Sequence, residues 1–169
     1  MILQSVKKME RYETLKGKGL IFLFFLWFLW FINFSIRIAF SPILPIVEDE
    51  FSVSHGKASS IFIFLSAGYG IGVLVSGLFS GRVGYKRSII ISLLLLSLVT
   101  FLIPFVYNFS LLYLSSFLLG FSVGIYLPAA IPLITEYYSE KQWGKAITIH
   151  DTGASVAIFP TPLISTFLL

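Results

Sequence analysis

The sequence predicts an all-α integral membrane protein with five transmembrane helices. Hydrophobic residues make up 57% of the chain and charged residues 12%, whereas soluble domains are about 45–50% apolar and about 25% charged. The mean hydropathy of +0.92 agrees with a chain that lies in lipid. Five apolar runs reach the ~20 residues that a helix needs to cross a bilayer, and basic residues gather in the polar segments that flank these runs.

The five predicted spans follow a basic N-terminus, residues 1–19, and make up a transmembrane domain that covers residues 20–169. Their approximate limits are 20–40, 61–80, 88–106, 111–134 and 146–169. The first span is not a secretory signal, because its apolar stretch is too long and no small-residue cleavage site follows Phe40.

The distribution of lysine and arginine predicts the orientation of the spans. Ten of the twelve basic residues lie before the first span, in the second connection or in the fourth connection. They are Lys7, Lys8, Arg11, Lys16, Lys18, Arg82, Lys86, Arg87, Lys141 and Lys145. Lys57 lies in an opposite loop and Arg37 within the first span. Because loops rich in lysine and arginine stay in the cytoplasm, we expect a multi-pass protein of the cell (plasma or inner) membrane with a cytoplasmic N-terminus.

Three spans carry small residues at every fourth position. The second span has Gly68, Gly72, Ser76 and Ser80, the fourth has Ser116, Gly120 and Gly124, and the fifth has Gly153, Ala157 and Thr161. Residues four apart share one face of a helix, and small residues let two helix backbones approach closely in lipid. We therefore predict that these faces pack tightly against neighbouring helices.

A short basic turn joins the second and third spans. Residues 77–88 read Gly-Leu-Phe-Ser-Gly-Arg-Val-Gly-Tyr-Lys-Arg-Ser, and such a turn is excluded from hydrocarbon. It resembles the signature loop of the major facilitator superfamily of secondary transporters, which has a Gly, a Leu two residues on, Asp-Arg, a spacer, Gly and a basic pair. The matching positions are Gly77, Arg82, Gly84, Lys86 and Arg87, while Phe79 stands for the Leu and Gly81 for the Asp.

The resemblance extends from about residue 30 to the end of the sequence. Residues 41–45, Ser-Pro-Ile-Leu-Pro, precede an acidic loop, and residues 67–69, Ala-Gly-Tyr, precede the signature loop. Residues 128–138 are similar to the proline-rich fourth span with its acidic cytoplasmic end, and residues 144–155 to the entry of the fifth. The resemblance implies a partial N-terminal six-helix half of a major facilitator fold, a fold whose halves are built from inverted repeats.

That resemblance also implies a function. The chain is expected to be the N-terminal part of a secondary active transporter, not an enzyme, that moves a small solute by alternating access. The basic turn (Gly77, Arg82, Gly84, Lys86 and Arg87), together with Glu136, would form a cytoplasmic gating loop. The alternative is a truncated, non-transporting membrane fragment, or a small subunit that needs a partner chain or a missing C-terminal half.

Three ionisable residues lie inside the predicted spans: Arg37, His150 and Asp151. A charge in the bilayer costs at least about 2.5–3.5 kcal/mol, so such groups normally face a cavity or a partner. Asn33 lies one helical turn before Arg37, and a guanidinium beside an amide suits a carboxylate or a phosphate. We predict that Arg37, Asn33 and Tyr69 bind substrate, with an organic anion as the solute. In the other interpretation, Arg37 snorkels to the outer face.

His150 and Asp151 open the fifth span and are candidates for proton coupling. A histidine can change its charge near neutral pH. Adjacent residues point about 100° apart on a helix, so the two do not face one cavity squarely. They also lie close to Lys145, near the cytoplasmic interface. Two alternatives to proton coupling therefore stay open: the two residues form a hydrated pair at the interface, or Asp151 is stabilised by the positive end of the helix dipole.

Several other classes of site are excluded by the sequence. The triplet Gly68 to Gly70 contains the Gly-Tyr-Gly of a potassium filter but lies within a continuous apolar run. Because the chain has no cysteine and its two histidines lie far apart, we expect no metal cluster and no cofactor. The basic residues flank spans rather than form a patch, which excludes nucleic acid and leaves lipid and a small-molecule substrate as partners. Trp27, Trp30 and the phenylalanines of the first span are predicted to face lipid.

Overall fold

The computed structural model describes residues 11–168, and their regular structure is helical. The helices are α1 (Lys18–Ala39), α2 (Leu44–Phe51), α3 (His55–Ser59), α4 (Ile61–Val83), α5 (Tyr85–Leu102), α6 (Phe109–Tyr137), α7 (Glu140–Ala157) and α8 (Pro160–Leu168). A 3-10 turn, Ile103–Phe105, extends α5. Of the predicted segments, the first ten residues of the basic N-terminus, including Lys7 and Lys8, lie outside the described residues, as does Leu169.

Within residues 11–168, four helical segments are long and apolar enough to cross a membrane: Lys18–Ala39, His55–Val83, Tyr85–Phe105 and Phe109–Tyr137. They correspond to the first four predicted spans, and the all-α membrane fold is thereby confirmed. In α6, Pro128 and Pro132 lie inside a continuous helix, which membrane helices tolerate because neighbouring groups satisfy the freed carbonyls.

The fifth predicted span, residues 146–169, is divided between α7 and α8. The chain turns at Ile158 and Phe159, and α8 begins at Pro160. Proline has no amide hydrogen and clashes with the carbonyl four residues earlier, so it interrupts α7 but suits the first position of a new helix. That this region crosses the membrane stays a prediction.

Helices α4 and α6 pack in close contact along their lengths, and glycines form the contact. A methyl group added to Gly68 or Gly72 would lie within 3.0 Å of a backbone oxygen of α6. A methyl group added to Gly120 or Gly124 would lie as close to a backbone oxygen of α4. The two backbones therefore touch with no side chain between them, as the small-residue pattern predicts.

Helix α1 packs against both α7 and α6. A methyl group added to Gly153 of α7 would lie 2.7 Å from the Trp27 carbonyl oxygen, and the Trp27 indole donates a 2.9 Å hydrogen bond to the Thr152 hydroxyl. On its other face, α1 packs Leu23, Leu26 and Trp30 into the core shared with α6. This arrangement brings α1, α4, α6 and α7 into one bundle.

The end of the bundle that carries the α4–α5 connection is here called the basic end. There the Tyr12 amide donates to the Tyr137 carbonyl at 2.7 Å, and the Ser139 amide donates to the Tyr12 carbonyl at 3.2 Å. Between them, the buried Tyr138 hydroxyl donates to the Gly19 carbonyl. Burial raises the pKa of Tyr138 to about 12. These bonds fix the N-terminal segment to the α6–α7 turn.

Candidate functional site

Arg37 of α1 and Tyr69 of α4 meet between the two helices. The guanidinium carbon lies 4.5 Å from the centre of the Tyr69 ring and 5.9 Å from that of Phe34. Within the described residues, the ion pairs present join histidines to acids and leave Arg37 without a carboxylate partner. A cation over an aromatic face is stabilised by about 0.5–1 kcal/mol at an exposed site and by about 2 kcal/mol when desolvated, while its N–H groups stay available to an anion. Both side chains are partly exposed.

Asn33 lies one turn before Arg37, but its environment differs. Its side chain is fully buried, and neither its amide nitrogen nor its amide oxygen has a hydrogen-bond partner. An unpartnered buried polar group costs about 1–3 kcal/mol. Because it is buried, Asn33 does not reach the partly exposed surface that Arg37 and Tyr69 share in this conformation. Its amide N–H groups and its amide oxygen remain free to form hydrogen bonds.

His150 of α7 is buried against an aromatic stack. Its ring centre lies 5.9 Å from those of Trp30 and Tyr126, which stack on each other at 5.3 Å. The Tyr126 hydroxyl donates to the Leu26 carbonyl at 2.9 Å and lies 3.3 Å from the His150 Nε2 atom. Asp151, which is half exposed, places a carboxylate oxygen 3.1 Å from the His150 Nδ1 atom. Asp151, His150 and Tyr126 thus form a continuous series of polar contacts from the surface into the bundle.

This arrangement corrects one prediction and adds two residues. Trp30 was expected to face lipid, yet it is buried because the Tyr126 ring of α6 stacks on it. Phe24, Phe25 and Phe28 are exposed on the outside of α1, as expected, whereas Phe40 at the end of the predicted span is buried in the core. Tyr126 and Trp30 carry no local signal in the sequence, since an aromatic residue within an apolar run has the same pattern whether it contacts lipid or a neighbouring helix.

The basic turn is tighter than a loop. Helix α4 continues to Val83 and α5 begins at Tyr85, so Gly84 alone joins them with a φ of 93°. L-residues with a side chain rarely adopt that φ, which accounts for this glycine. In contrast, a methyl group added to Gly77 or Gly81 would meet nothing within 4 Å. Neither of these two glycines is required by packing.

Two cations of the turn, Lys86 and Arg87, share a cleft with Glu136 at the basic end. Arg82, Lys86, Arg87 and Glu136 are all exposed. A cleft of about 460 Å³ is lined by Lys86 and Arg87 on one wall and by Glu136 on the other. No ion pair joins Glu136 to these cations within residues 11–168. Of the predicted gating residues, Lys86, Arg87 and Glu136 therefore line one cleft, and Glu136 is not paired with either cation in this conformation.

Comparison with known proteins gives a family and a set of distant relatives. The profile described as Major Facilitator Superfamily matches residues 24–169. Three relatives named "Protein TsgA homolog", from Buchnera aphidicola subsp. Acyrthosiphon pisum strains Tuc7, 5A and APS, are each 23% identical over 123 residues. The aligned region covers 73% of this chain and 32% of each relative, so the chain spans about a third of their length. The profile matches most of the length of the chain, and the helices long enough to cross a membrane and the basic turn joined by Gly84 agree with that match. The chain therefore belongs to the Major Facilitator Superfamily.

Proposed function

We propose that this chain forms the N-terminal part of a secondary transporter that moves a small anionic solute across the cell membrane by alternating access. The observation that carries the proposal is the Arg37 guanidinium, held over the Tyr69 ring without a carboxylate partner. A planar guanidinium donates two parallel hydrogen bonds to a carboxylate or a phosphate. Arg37 would bind the solute, and Tyr69 would hold Arg37 in position.

The direction of the Arg37 side chain supports solute binding over snorkelling. Side chains on a helix tilt toward its N-terminus, which for α1 is the basic end, whereas Arg37 lies near the opposite end of that helix. Tyr69 lies eight residues inside α4, roughly 12 Å along the helix axis. A guanidinium that contacts this ring is drawn inward, while a snorkelling side chain extends toward the headgroups.

Asn33 would join the solute site in a second conformation. Its unpartnered amide is buried in the structure, and a rearrangement of α1 would expose it on the face that carries Arg37. A ligand shifts such an equilibrium only through its different affinity for the two states. If the Asn33 amide forms hydrogen bonds only with bound solute, those bonds give the solute a higher affinity for the second conformation.

The function is tested by reconstituting the transporting assembly that contains this chain in liposomes and measuring the uptake of labelled solutes. We expect uptake of small carboxylates or phosphate esters and none of neutral sugars. Protein-free liposomes give the background. Uptake of sugars alone, with none of any anion, would contradict an anionic solute.

A subunit that needs a partner is the second candidate. The chain covers 32% of each curated relative, and major facilitator transporters are built from two six-helix halves. In this case the chain alone takes up no solute, and a second membrane chain accompanies it when it is solubilised from its native membrane. Transport by the chain alone would exclude the partner requirement.

His150 and Asp151 would couple transport to protons. The carboxylate of Asp151 is half exposed and contacts the buried His150 ring, so a proton taken up at the surface can reach the interior of the bundle. We expect Asp151→Asn to abolish uptake driven by a pH gradient while exchange of solute across the membrane continues. Asp49→Asn, in the predicted outer loop, is the control. Loss of exchange in Asp151→Asn to the same extent as gradient-driven uptake would assign Asp151 a structural role.

The basic turn would act at a cytoplasmic opening, with Glu136 and Arg87 pairing when the cleft between them closes. This role requires a cytoplasmic basic end, which single cysteines can test because the chain has none. In intact cells, we expect Gly81→Cys to resist a membrane-impermeant maleimide and Lys57→Cys to react. Both positions are exposed, so the reverse labelling pattern would invert the topology.

A further inference from the structure

The buried Tyr126 hydroxyl of α6 lies between α1 and α7, and its two contacts determine where its proton points. Its oxygen lies 2.9 Å from the Leu26 carbonyl oxygen and 3.3 Å from the His150 Nε2 atom. A phenol has a single proton, and the shorter contact, to a carbonyl that can only accept, takes it. Toward His150 the hydroxyl therefore presents a lone pair, so the Nε2 atom carries the proton that joins them.

The other side of the His150 ring requires a second proton. The Nδ1 atom lies 3.1 Å from a carboxylate oxygen of Asp151. A neutral imidazole with its proton on Nε2 has a lone pair on Nδ1, and a lone pair that faces an ionised carboxylate at this distance is repelled. A proton therefore lies between the two atoms. In this conformation the His150–Asp151 pair holds two protons.

The surroundings of the His150 ring leave its hydrogen bonds to Asp151 and Tyr126. Helix α7 itself provides Asp151, α6 provides Tyr126, and α1 provides the uncharged Trp30 ring. Helix α8 also packs against α7 and has no ionisable side chain.

Loss of one proton from the pair reverses the Tyr126 hydrogen bond. One proton leaves to water through the half-exposed Asp151, and the remaining one resides on Nδ1 and donates to the Asp151 carboxylate. The Nε2 atom is then an acceptor, and a buried acceptor without a donor is costly. The Tyr126 hydroxyl supplies that donor by turning its own proton from the Leu26 carbonyl to Nε2.

We propose that Tyr126 is a positioning residue that connects the protonation of the His150–Asp151 pair to α1. With two protons on the pair, as in the structure, the hydroxyl bonds to the Leu26 carbonyl of α1. With one proton, it bonds to His150 and releases α1. A role of this bond in transport rests on the proposed proton coupling, whereas the change in hydrogen bonding does not.

The bond acts on the face of α1 that carries the predicted solute residues. Leu26, Trp30, Asn33 and Arg37 follow one another at spacings of four, three and four positions, which place residues on one face of a helix. The Trp30 ring also stacks on the Tyr126 ring. Release of the Leu26 bond therefore loosens the contact of this face with α6, so loss of a proton acts on the helix that would bind the solute.

Nitrogen NMR of isotopically labelled histidine tests the proton positions in the full chain. The chain has two histidines, so His55→Gln leaves His150 as the single signal. We expect a protonated Nε2 at about pH 5 and an Nε2 without a proton, beside a protonated Nδ1, at about pH 8, the range in which histidine changes its charge. An Nε2 atom in the same state at both pH values would overturn the inference.

Hydrogen exchange of α1 tests the connection to that helix. After correction for the intrinsic effect of pH, we expect the amides around Leu26 to exchange severalfold more slowly at about pH 5 than at about pH 8. Tyr126→Phe keeps the ring but removes the hydroxyl, so the difference should vanish. The matched control is Tyr113→Phe on the same helix, whose hydroxyl contacts Ser60 at 2.6 Å, and it should keep the difference. A difference that persists in Tyr126→Phe would overturn the connection.

Transport separates this role from the proposed proton coupling. We expect Tyr126→Phe to lower uptake driven by a pH gradient about tenfold or more while exchange of solute continues. Equal loss of exchange would assign Tyr126 a structural role. If Asp151→Asn uncouples transport but the Nε2 atom never changes state, the proton coupling stands and the Tyr126 inference fails. If the Nε2 atom changes state but Asp151→Asn transports normally, the hydrogen-bond change stands and the proton coupling fails.

Discussion

Replacing Arg37 with lysine should lower the rate of anion uptake at limiting solute about tenfold or more, in whichever assembly of this chain transports. Lysine keeps the charge but is a point donor that cannot form the two parallel bonds of a guanidinium. Arg37→Gln should lower uptake about 100-fold, since hydrogen bonds to charged groups contribute roughly 1.5–3 kcal/mol each. The measurement is the initial rate of labelled anion uptake into proteoliposomes, corrected for the amount of inserted protein.

The lysine variant separates solute binding from snorkelling. A snorkelling lysine reaches the interface as well as arginine does, so that interpretation predicts normal uptake by Arg37→Lys. Tyr69→Leu removes the ring that lies 4.5 Å from the guanidinium carbon, and Phe34→Leu removes the ring at 5.9 Å. We expect a loss of several-fold for Tyr69→Leu and a smaller one for Phe34→Leu, because cation–π attraction falls with distance. Wild-type kinetics in Arg37→Lys would remove Arg37 from the site.

The sequence predicts the four membrane-crossing segments because each is a long apolar run bounded by charges or turns. The limits of α4 are less well predicted. The second span was expected to end at residue 80, but α4 continues through Arg82 to Val83. A cation in the last turn is favoured by the helix dipole, and a helix can extend past the hydrocarbon. Most of the predicted signature loop is therefore helical.

The candidate site is predictable only in part. Arg37 is evident from the sequence because a charge within an apolar run is costly. Its contact with Tyr69, 32 positions later, and the approach of Tyr126 to His150 depend on how four helices, α1, α4, α6 and α7, pack. Helix packing depends on the shapes of the facing surfaces, and the hydropathy of an apolar run does not show which of its side chains face a neighbouring helix. The hydropathy pattern therefore reveals the charged residues within the spans but not the aromatic rings that contact them.

Gly120→Ala should destabilise the bundle by about 1–3 kcal/mol, the usual effect of an extra methylene in a packed interior. The added methyl group would collide with the Leu65 carbonyl oxygen of α4, so the two helices must separate along the face that holds them together. The matched control is Gly70→Ala on α4, where a methyl group meets nothing within 4 Å. Alanine is also the better helix former, so the control should be neutral or slightly stabilising.

Thermal unfolding of the purified variants in detergent measures the difference. We expect the midpoint for Gly120→Ala to fall by about 3–10 °C relative to Gly70→Ala. Gly68→Ala should cause a similar fall, since its methyl group would meet the Phe117 carbonyl oxygen from the other side of the same contact. Once one methyl group has separated the helices, the second meets less resistance, so the double variant should lose less stability than the sum of the two. Full additivity would mean that the two glycines do not share one contact.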